Sequence, residues 1–173
     1  MGREVILTLR LSLRQAELTD AAFFLELLNS PGWLKYIGDR GVYTEGDAVA
    51  YIRQRVIPTF EIPGLGSYLA VPAESDVPVG FVGVFRRPNL PAPDFGFAFL
   101  PAGQGMGYAQ EASRALLARP EVQALPELLA ITLPENLNSI RLLEQLGFLQ
   151  DGKATSENGE EFLRYNYDNQ TKG

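Results

Sequence analysis

Cysteine and histidine are both absent from this 173-residue sequence, and the two absences together remove much familiar catalytic apparatus. Without cysteine there is no disulfide scaffold, thiolate metal site or thiol nucleophile. Without histidine there is no Ser-His-Asp triad and none of the usual zinc sites. No metal is therefore expected, and Asp, Glu, Ser, Tyr and main-chain dipoles remain for chemistry. Long apolar runs are missing too: nowhere do the roughly 18 consecutive apolar residues of a membrane span occur. The start, Met1-Gly2-Arg3-Glu4, lacks the features of a secretory signal, so a cytoplasmic location is expected. Positive charge is in deficit, 15 basic against 21 acidic residues for a net −6. Nothing global attracts nucleic acid or an anionic membrane, and neither is an expected partner. Internal repeats and low-complexity tracts are also lacking.

What is present is enough apolar residue, 46%, to bury one continuous core, and a single domain over residues 1–173 is expected. Period-two alternation from Leu7 to Arg14 predicts a half-buried first strand. Thr19-Asp20 then caps a helix using Ala22, Phe23, Leu25, Leu27 and Leu28, which Asn29-Ser30-Pro31-Gly32 stops. A short helical turn over Trp33 to Ile37 precedes a helix from Thr44 to Arg55, where Thr44-Glu45-Gly46-Asp47 resembles a capping box. Pro58 to Gly66 reads as loop. Three strands follow, Ser67–Val71, Val79–Arg86 and Asp94–Leu100, as an antiparallel meander. A helix over Gly105–Arg119, a strand over Leu128–Leu133 and a helix over Ser139–Leu146 come next. A solvent-facing hairpin of Leu149–Lys153 and Phe162–Tyr167 around residues 155–159 closes the chain. This order predicts an α/β fold with a mixed, mostly antiparallel sheet flanked by helices.

Gln104-Gly105-Met106-Gly107-Tyr108-Ala109 follows an apolar strand and opens a helix with almost no side-chain bulk. A helix N-terminus presents unpaired N–H donors, and glycine lets a phosphate oxygen approach the main chain. The segment reads as a phosphate-binding turn with amides from Gly105 to Ala109 as donors. A dinucleotide fingerprint fails because the third glycine would fall at Tyr108 or Gln110. A nucleotide-triphosphate loop fails because the only Gly-Lys pair, Gly152-Lys153, is followed by Ala154.

The segment fits the acetyl-coenzyme A motif of the GNAT superfamily of N-acetyltransferases: Gln or Arg, two variable residues, Gly, one variable residue, then Gly or Ala. Gln110-Glu111-Ala112 continues that family's helix, and Asn136 to Phe148 resembles its later Asn…Ser-x-Arg…Leu-Gly-Phe region. Tyr36-Ile37-Gly38-Asp39-Arg40 with Thr44-Glu45 resembles the branch holding ribosomal-protein acetyltransferases. The resemblance spans about Leu7 to Tyr167. It implies an acyl-CoA N-acyltransferase-like fold whose strand Asp94–Leu100 splays from Leu128–Leu133. It further implies acetyl-coenzyme A as donor, a protein N-terminus or small primary amine as acceptor, and direct attack without a covalent enzyme intermediate.

Within that resemblance Gln104 sets the turn and the Gly105–Ala109 amides hold the pyrophosphate. A main-chain N–H at Phe99 or Leu100 polarises the thioester carbonyl. Asp94 stands where this branch often has Glu and is the candidate general base; its alternative is a strand-edge residue after Pro91-Ala92-Pro93. Asn136 matches a pantetheine-binding residue and reads equally as a helix cap. Arg141 meets a coenzyme phosphate or is a solvated helix charge. Two departures stand out: Leu143 replaces a Tyr general acid, leaving Ser139 as a possible donor, and Asn138 replaces a small Ala. Trp33, Tyr36, Tyr43, Phe60 and Tyr68 fall where the family builds its acceptor cleft. Glu111 suits the helix dipole and needs no catalytic role. A non-catalytic coenzyme A-binding or regulatory module remains as a second reading, and the chain is expected as monomer or homodimer.

Overall fold

The strands, in a computed structural model that describes residues 5–156 and 159–167, are β1 (Val5–Leu7), β2 (Leu11–Gln15), β3 (Gly66–Pro72), β4 (Gly80–Phe85), β5 (Asp94–Phe99), β6 (Leu129–Thr132), β7 (Phe148–Thr155) and β8 (Glu161–Tyr167). Six helices accompany them: α1 (Ala21–Leu28), α2 (Pro31–Tyr36), α3 (Glu45–Tyr51), α4 (Tyr108–Leu117), α5 (Pro120–Gln123) and α6 (Leu137–Leu146). The strands form one sheet in the order β1-β2-β3-β4-β5-β6-β8-β7. Every neighbouring pair is antiparallel except β5 and β6. The mixed, mostly antiparallel sheet follows from the element order, and the β3-β4-β5 meander lies where Pro, Gly and Asp punctuate the chain.

Side-chain alternation gives the sheet two apolar faces. On one, Leu13, Val82 and Phe95 meet Ala112 and Leu116 of α4 and Leu142 of α6. On the other, Leu69 and Phe81 meet Phe24 and Leu27 of α1 with Ala48 of α3. Local chemistry sets the helix ends. Thr44 Oγ1 accepts from the Asp47 N–H (3.0 Å) while the Asp47 carboxylate accepts from Thr44 N–H (3.2 Å), so the capping box is formed. Asn136 Oδ1 accepts from Ser139 N–H (3.3 Å) at the start of α6. Gly147, with φ 95°, ends it in the left-handed conformation.

Several elements depart from the sequence expectation. The stretch Leu7–Arg14 is not one strand but a hairpin, with Leu7 paired to Ser12 and Leu9-Arg10 at its tip. Alternation of leucines runs straight through the turn, so periodicity cannot reveal it. Leu7 and Leu9 are 76% and 92% exposed while Leu11 and Leu13 are buried. Asp20 does not cap α1 with its side chain; its carboxylate binds the Glu17 N–H and Arg14 instead. The α3 helix ends at Tyr51, passes into a π segment over Ile52–Val56 and then a 3-10 segment over Ile57–Glu61, so part of the expected loop is helical. Pro58 has no N–H with which to continue an α-helix. The α5 helix was not anticipated. Glu157 and Asn158, at the expected β7–β8 turn, lie outside the described residues. The flanking β7 is largely exposed, as expected of a solvent-facing hairpin, and carries the cross-strand pair Lys153–Glu161 at 2.8 Å.

Gly83 and Gly96 are cross-strand partners under the Phe85 ring. A Cβ at Gly83 would lie 2.7 Å from that ring and 2.9 Å from the Gly66 carbonyl oxygen. Gly83→Ala should therefore destabilise the fold by about 1–3 kcal/mol through overpacking, read as a lower midpoint in urea unfolding with unchanged slope.

Candidate functional site

β5 delivers the chain into a turn whose conformation is set by three residues. Gln104 Nε2 donates to the Phe99 carbonyl at 2.8 Å, folding the segment back on the strand end. Gly105 and Gly107 adopt φ of +80° and +78°, values that no non-glycine residue takes among the described residues. Those two positions explain why α4 begins at Tyr108 and not at the expected Gly105. Its first α-helical bond runs from Glu111 N–H to the Gly107 carbonyl at 3.0 Å. The Tyr108, Ala109 and Gln110 amides ahead of it have no intrahelical acceptor. Among the described residues the Gly105, Met106 and Gly107 amides bond to no protein oxygen. The turn is exposed, so it offers consecutive donors and the positive end of a helix dipole to an anion.

The turn stands at the mouth of a gap in the sheet. β5 and β6 share one register position, Asp94 opposite Leu129, with the Leu129 N–H bonded to the Pro93 carbonyl at 2.9 Å. No further register pair joins the two strands, although β5 runs on to Phe99 and β6 to Thr132. Leu100 donates its N–H to Val79 beside β4 at 2.8 Å, which removes it from the candidate thioester donors. By strand alternation the N–H groups of Phe97 and Phe99 point the other way, into the gap.

Asp94 sits at the joined end, 1% exposed. Its carboxylate receives Arg87 Nε at 3.0 Å to each oxygen. Burial pushes its pKa up to about 6, against the opposing charge and hydrogen bond of Arg87. The alternation that puts Phe95 against α4 and α6 turns Asp94, Gly96 and Ala98 toward the α1–α3 layer. On that layer Trp33, Phe81 and Phe85 follow one another with ring centres 6.1 Å apart.

The family model for the acetyltransferase (GNAT) domain matches residues 10–149. The chain belongs to the GNAT acetyltransferase family. An uncharacterized N-acetyltransferase of Bacillus subtilis, YnaD, is 28% identical over 148 residues, 85% of this chain and 84% of that protein. A structure from Bordetella pertussis assigned to the GnaT-family acetyltransferases superposes with a TM-score of 0.77 at 27% identity, covering 96% of this chain and 100% of that one. RimL, a ribosomal α-N-protein acetyltransferase in complex with coenzyme A, shares the fold with a TM-score of 0.77 at 16% identity, covering 94% and 97%.

As a GNAT domain, the chain distributes its remaining candidate residues unevenly. Asn136 acts as the α6 cap, and Ser139 is half-buried one turn into that helix. Arg141 is exposed. Leu143 is buried in the core beside Leu146 and Phe148, so packing occupies the place of the family's Tyr. Trp33 lies in the α1–α3 layer with its indole N–H buried and unpartnered. Tyr43 is exposed and donates to Asp39 at 2.6 Å. Tyr68 packs on the opposite face, and with Phe60 it lines a cleft beside Leu116 and Arg119 at the far end of α4. Tyr68 therefore lies on the sheet face opposite Trp33, whereas Phe60 also packs against the α1–α3 cluster.

Three participants escaped sequence reasoning. Arg87 reaches Asp94 across the β4–β5 connection, and no spacing rule announces a bridge around a loop. Thr8 and Arg10 at the β1–β2 tip reach Glu111, which no local pattern could signal.

The raised pKa of Asp94 fixes a sign. Its protonation favours the folded state, so the stabilisation is fully present below the ordinary value near 3.8 and is lost as pH rises through about 6. Relative to wild type, Asp94→Asn should gain about 1–3 kcal/mol of unfolding free energy as the pH is raised between those values. Urea titrations across that range check it.

Proposed function

We propose that the protein is an acetyl-coenzyme A-dependent N-acetyltransferase that modifies a primary amine, either a protein N-terminus or a small amine. The observation that carries this reading is the run of unbonded amides from Gly105 to Ala109 at the mouth of the β5–β6 gap. Such a turn binds a diphosphate without a cation, and the gap leads from it to a buried carboxylate. Donor chemistry fits the residues present: amides for the diphosphate, strand N–H groups for the pantetheine arm, apolar walls for the acyl group.

The reaction forms a C–N bond and breaks a C–S bond. The amine nitrogen attacks the thioester carbonyl carbon, coenzyme A leaves as thiolate, and the nitrogen surrenders one proton. Asp94 accepts that proton, directly or through water. A carboxylate raised to about 6 is ionised near neutral pH yet is a stronger base than an exposed one. Asp94 and Phe99 are five positions apart, roughly 17 Å along the strand, so base and carbonyl donor cannot both act at those two positions. The donor consistent with Asp94 is the Phe97 N–H, nearer the joined end, while Phe99 contacts the arm farther out. Solvent or the Ser139 hydroxyl returns a proton to the thiolate.

Incubation with acetyl-coenzyme A and a panel of peptides, polyamines and amino acids tests this by free-thiol release and product mass. Coenzyme binding with no product across the panel would favour the non-catalytic module. Gly107→Trp should weaken acetyl-coenzyme A binding by at least about tenfold, since the position has φ +78° and borders Arg10 Nη2. Its far-ultraviolet circular dichroism should hardly change, and undiminished affinity in calorimetry would contradict the cradle. Asp94→Asn should lower kcat/KM by about 100-fold and abolish the acid limb of the pH–rate profile. An unaltered profile removes Asp94 from the mechanism.

A further inference from the structure

Glu111 opens α4 where a negative charge already suits the dipole, yet the carboxylate is bound by residues 101 positions away and more. Thr8 Oγ1 donates to its Oε2 at 2.5 Å, the Arg10 main-chain N–H donates to the same oxygen at 2.7 Å, and Arg10 Nε donates to Oε1 at 2.7 Å. Burial works against this charge, but the bonds from Thr8 and Arg10 outweigh it and hold the carboxyl below its ordinary pKa. From the same guanidinium, Nη1 donates to the Met106 carbonyl at 2.7 Å, and Cζ lies 4.7 Å from the centre of the Tyr108 ring.

The hairpin tip is shaped for this contact and not by itself. Thr8 N–H bonds to the Leu11 carbonyl at 2.9 Å, while the return bond from Leu11 N–H goes to Thr8 Oγ1 at 3.0 Å. Neither Leu9 nor Arg10 has positive φ, unlike the turns that two-residue hairpins prefer. Glu111 supplies the acceptors that such a tip needs.

The turn on the other side of the clamp is equally dependent. Two glycines give residues 105–107 wide conformational freedom. A Cβ at Gly105 would meet nothing within 4 Å, and one at Gly107 would meet only Arg10 Nη2, at 3.3 Å. In a trans peptide the C=O and the following N–H point in opposite directions. Fixing the Met106 carbonyl on Arg10 therefore aims the Gly107 N–H away from the hairpin, toward open solvent.

We propose that Arg10, anchored by Glu111, is a positioning residue for the acyl donor: it holds the Met106–Gly107 peptide so that its amide faces the diphosphate. The inference rests on the acetyltransferase reading and deepens it. Arg10 acts through the main chain, so its effect is confined to donors that carry a diphosphate.

The test uses the full chain with Arg10→Gln, Arg10→Lys and Glu111→Gln, and two donors, acetyl-coenzyme A and S-acetylpantetheine, which lacks the diphosphate. Arg10→Gln should raise the KM and the calorimetric Kd for acetyl-coenzyme A about tenfold, the loss of one charge-assisted hydrogen bond. Its kcat should stay within about twofold, and kcat/KM for S-acetylpantetheine should not move. Arg10→Lys cannot reach Met106 and Glu111 at once and should fall between, while Arg10→Gln/Glu111→Gln should be no worse than Arg10→Gln alone. A lowered thermal midpoint with unchanged Kd would overturn the inference, as would equal losses for both donors. Failure of the wild type to bind acetyl-coenzyme A would instead sink the acetyltransferase reading. Should Arg10→Gln not fold, Arg10→Lys read with both donors decides in the same way.

Discussion

A parallel strand pair that closes at one position and then parts is the constraint on which the molecule is organised. Main-chain N–H and C=O groups left facing a crevice carry a desolvation cost unless something else satisfies them. The sheet tolerates the break because each side is laddered elsewhere: all six residues of β5 pair with β4, and all four of β6 pair with β8. Each half also has its own helix, α4 over β4 and β5, α6 over β6 and β7. The two helices touch each other, so the halves meet at the Asp94–Leu129 pair and across that helix contact. Their N-termini, Gly107 and Asn136, stand at the carboxyl ends of the two parting strands, where open α/β sheets place ligands.

Electrostatics fit the same plan. A chain of net charge −6 cannot draw an anion by its overall field, and the turn does not ask it to. Helix amides provide a short-range positive end that screening by the acidic surface scarcely affects. Arg10, a cation beside the turn, is neutralised by Glu111 and spends its hydrogen bonds on protein oxygens.

Elements whose signals are local were legible in the sequence. The Thr44–Asp47 box, the helix over Ser139–Leu146 and the β3-β4-β5 meander each depend on residues a few positions apart, and the turn after β5 announced itself through Gln104, Gly105 and Gly107. Reading failed where a distant partner decides. The leucine alternation from Leu7 to Leu13 looks like one strand because the tip is stabilised by Glu111, far along the chain. The α4 helix starts later than its sequence pattern suggests because positive φ at Gly105 and Gly107 belongs to a glycine turn and not to a helix. Leu100 seemed as good a donor as Phe99 until the ladder to β4 showed which amides face the gap. Tyr68 seemed to belong with Trp33 because face assignment needs register, which one sequence does not contain.

The buried carboxylate shows how packing produces chemistry. Asp94 and Phe85 are cross-strand partners, so their side chains leave the sheet on the same face. The Phe85 ring lies back over Gly83 and Gly96, at distances where a Cβ would come within 2.7 and 3.2 Å of it. A Cβ at Gly83 would displace the ring and one at Gly96 would crowd it; without them it stands next in line to Phe81 and Trp33. That apolar cover accompanies the exclusion of water from Asp94, and burial is the main cause of its raised pKa, with Arg87 and a main-chain hydrogen bond holding it from rising further. Two missing side chains on neighbouring strands thus help to set the basicity of a third residue, and under the proposed mechanism that basicity is what would let Asp94 take the acceptor's proton.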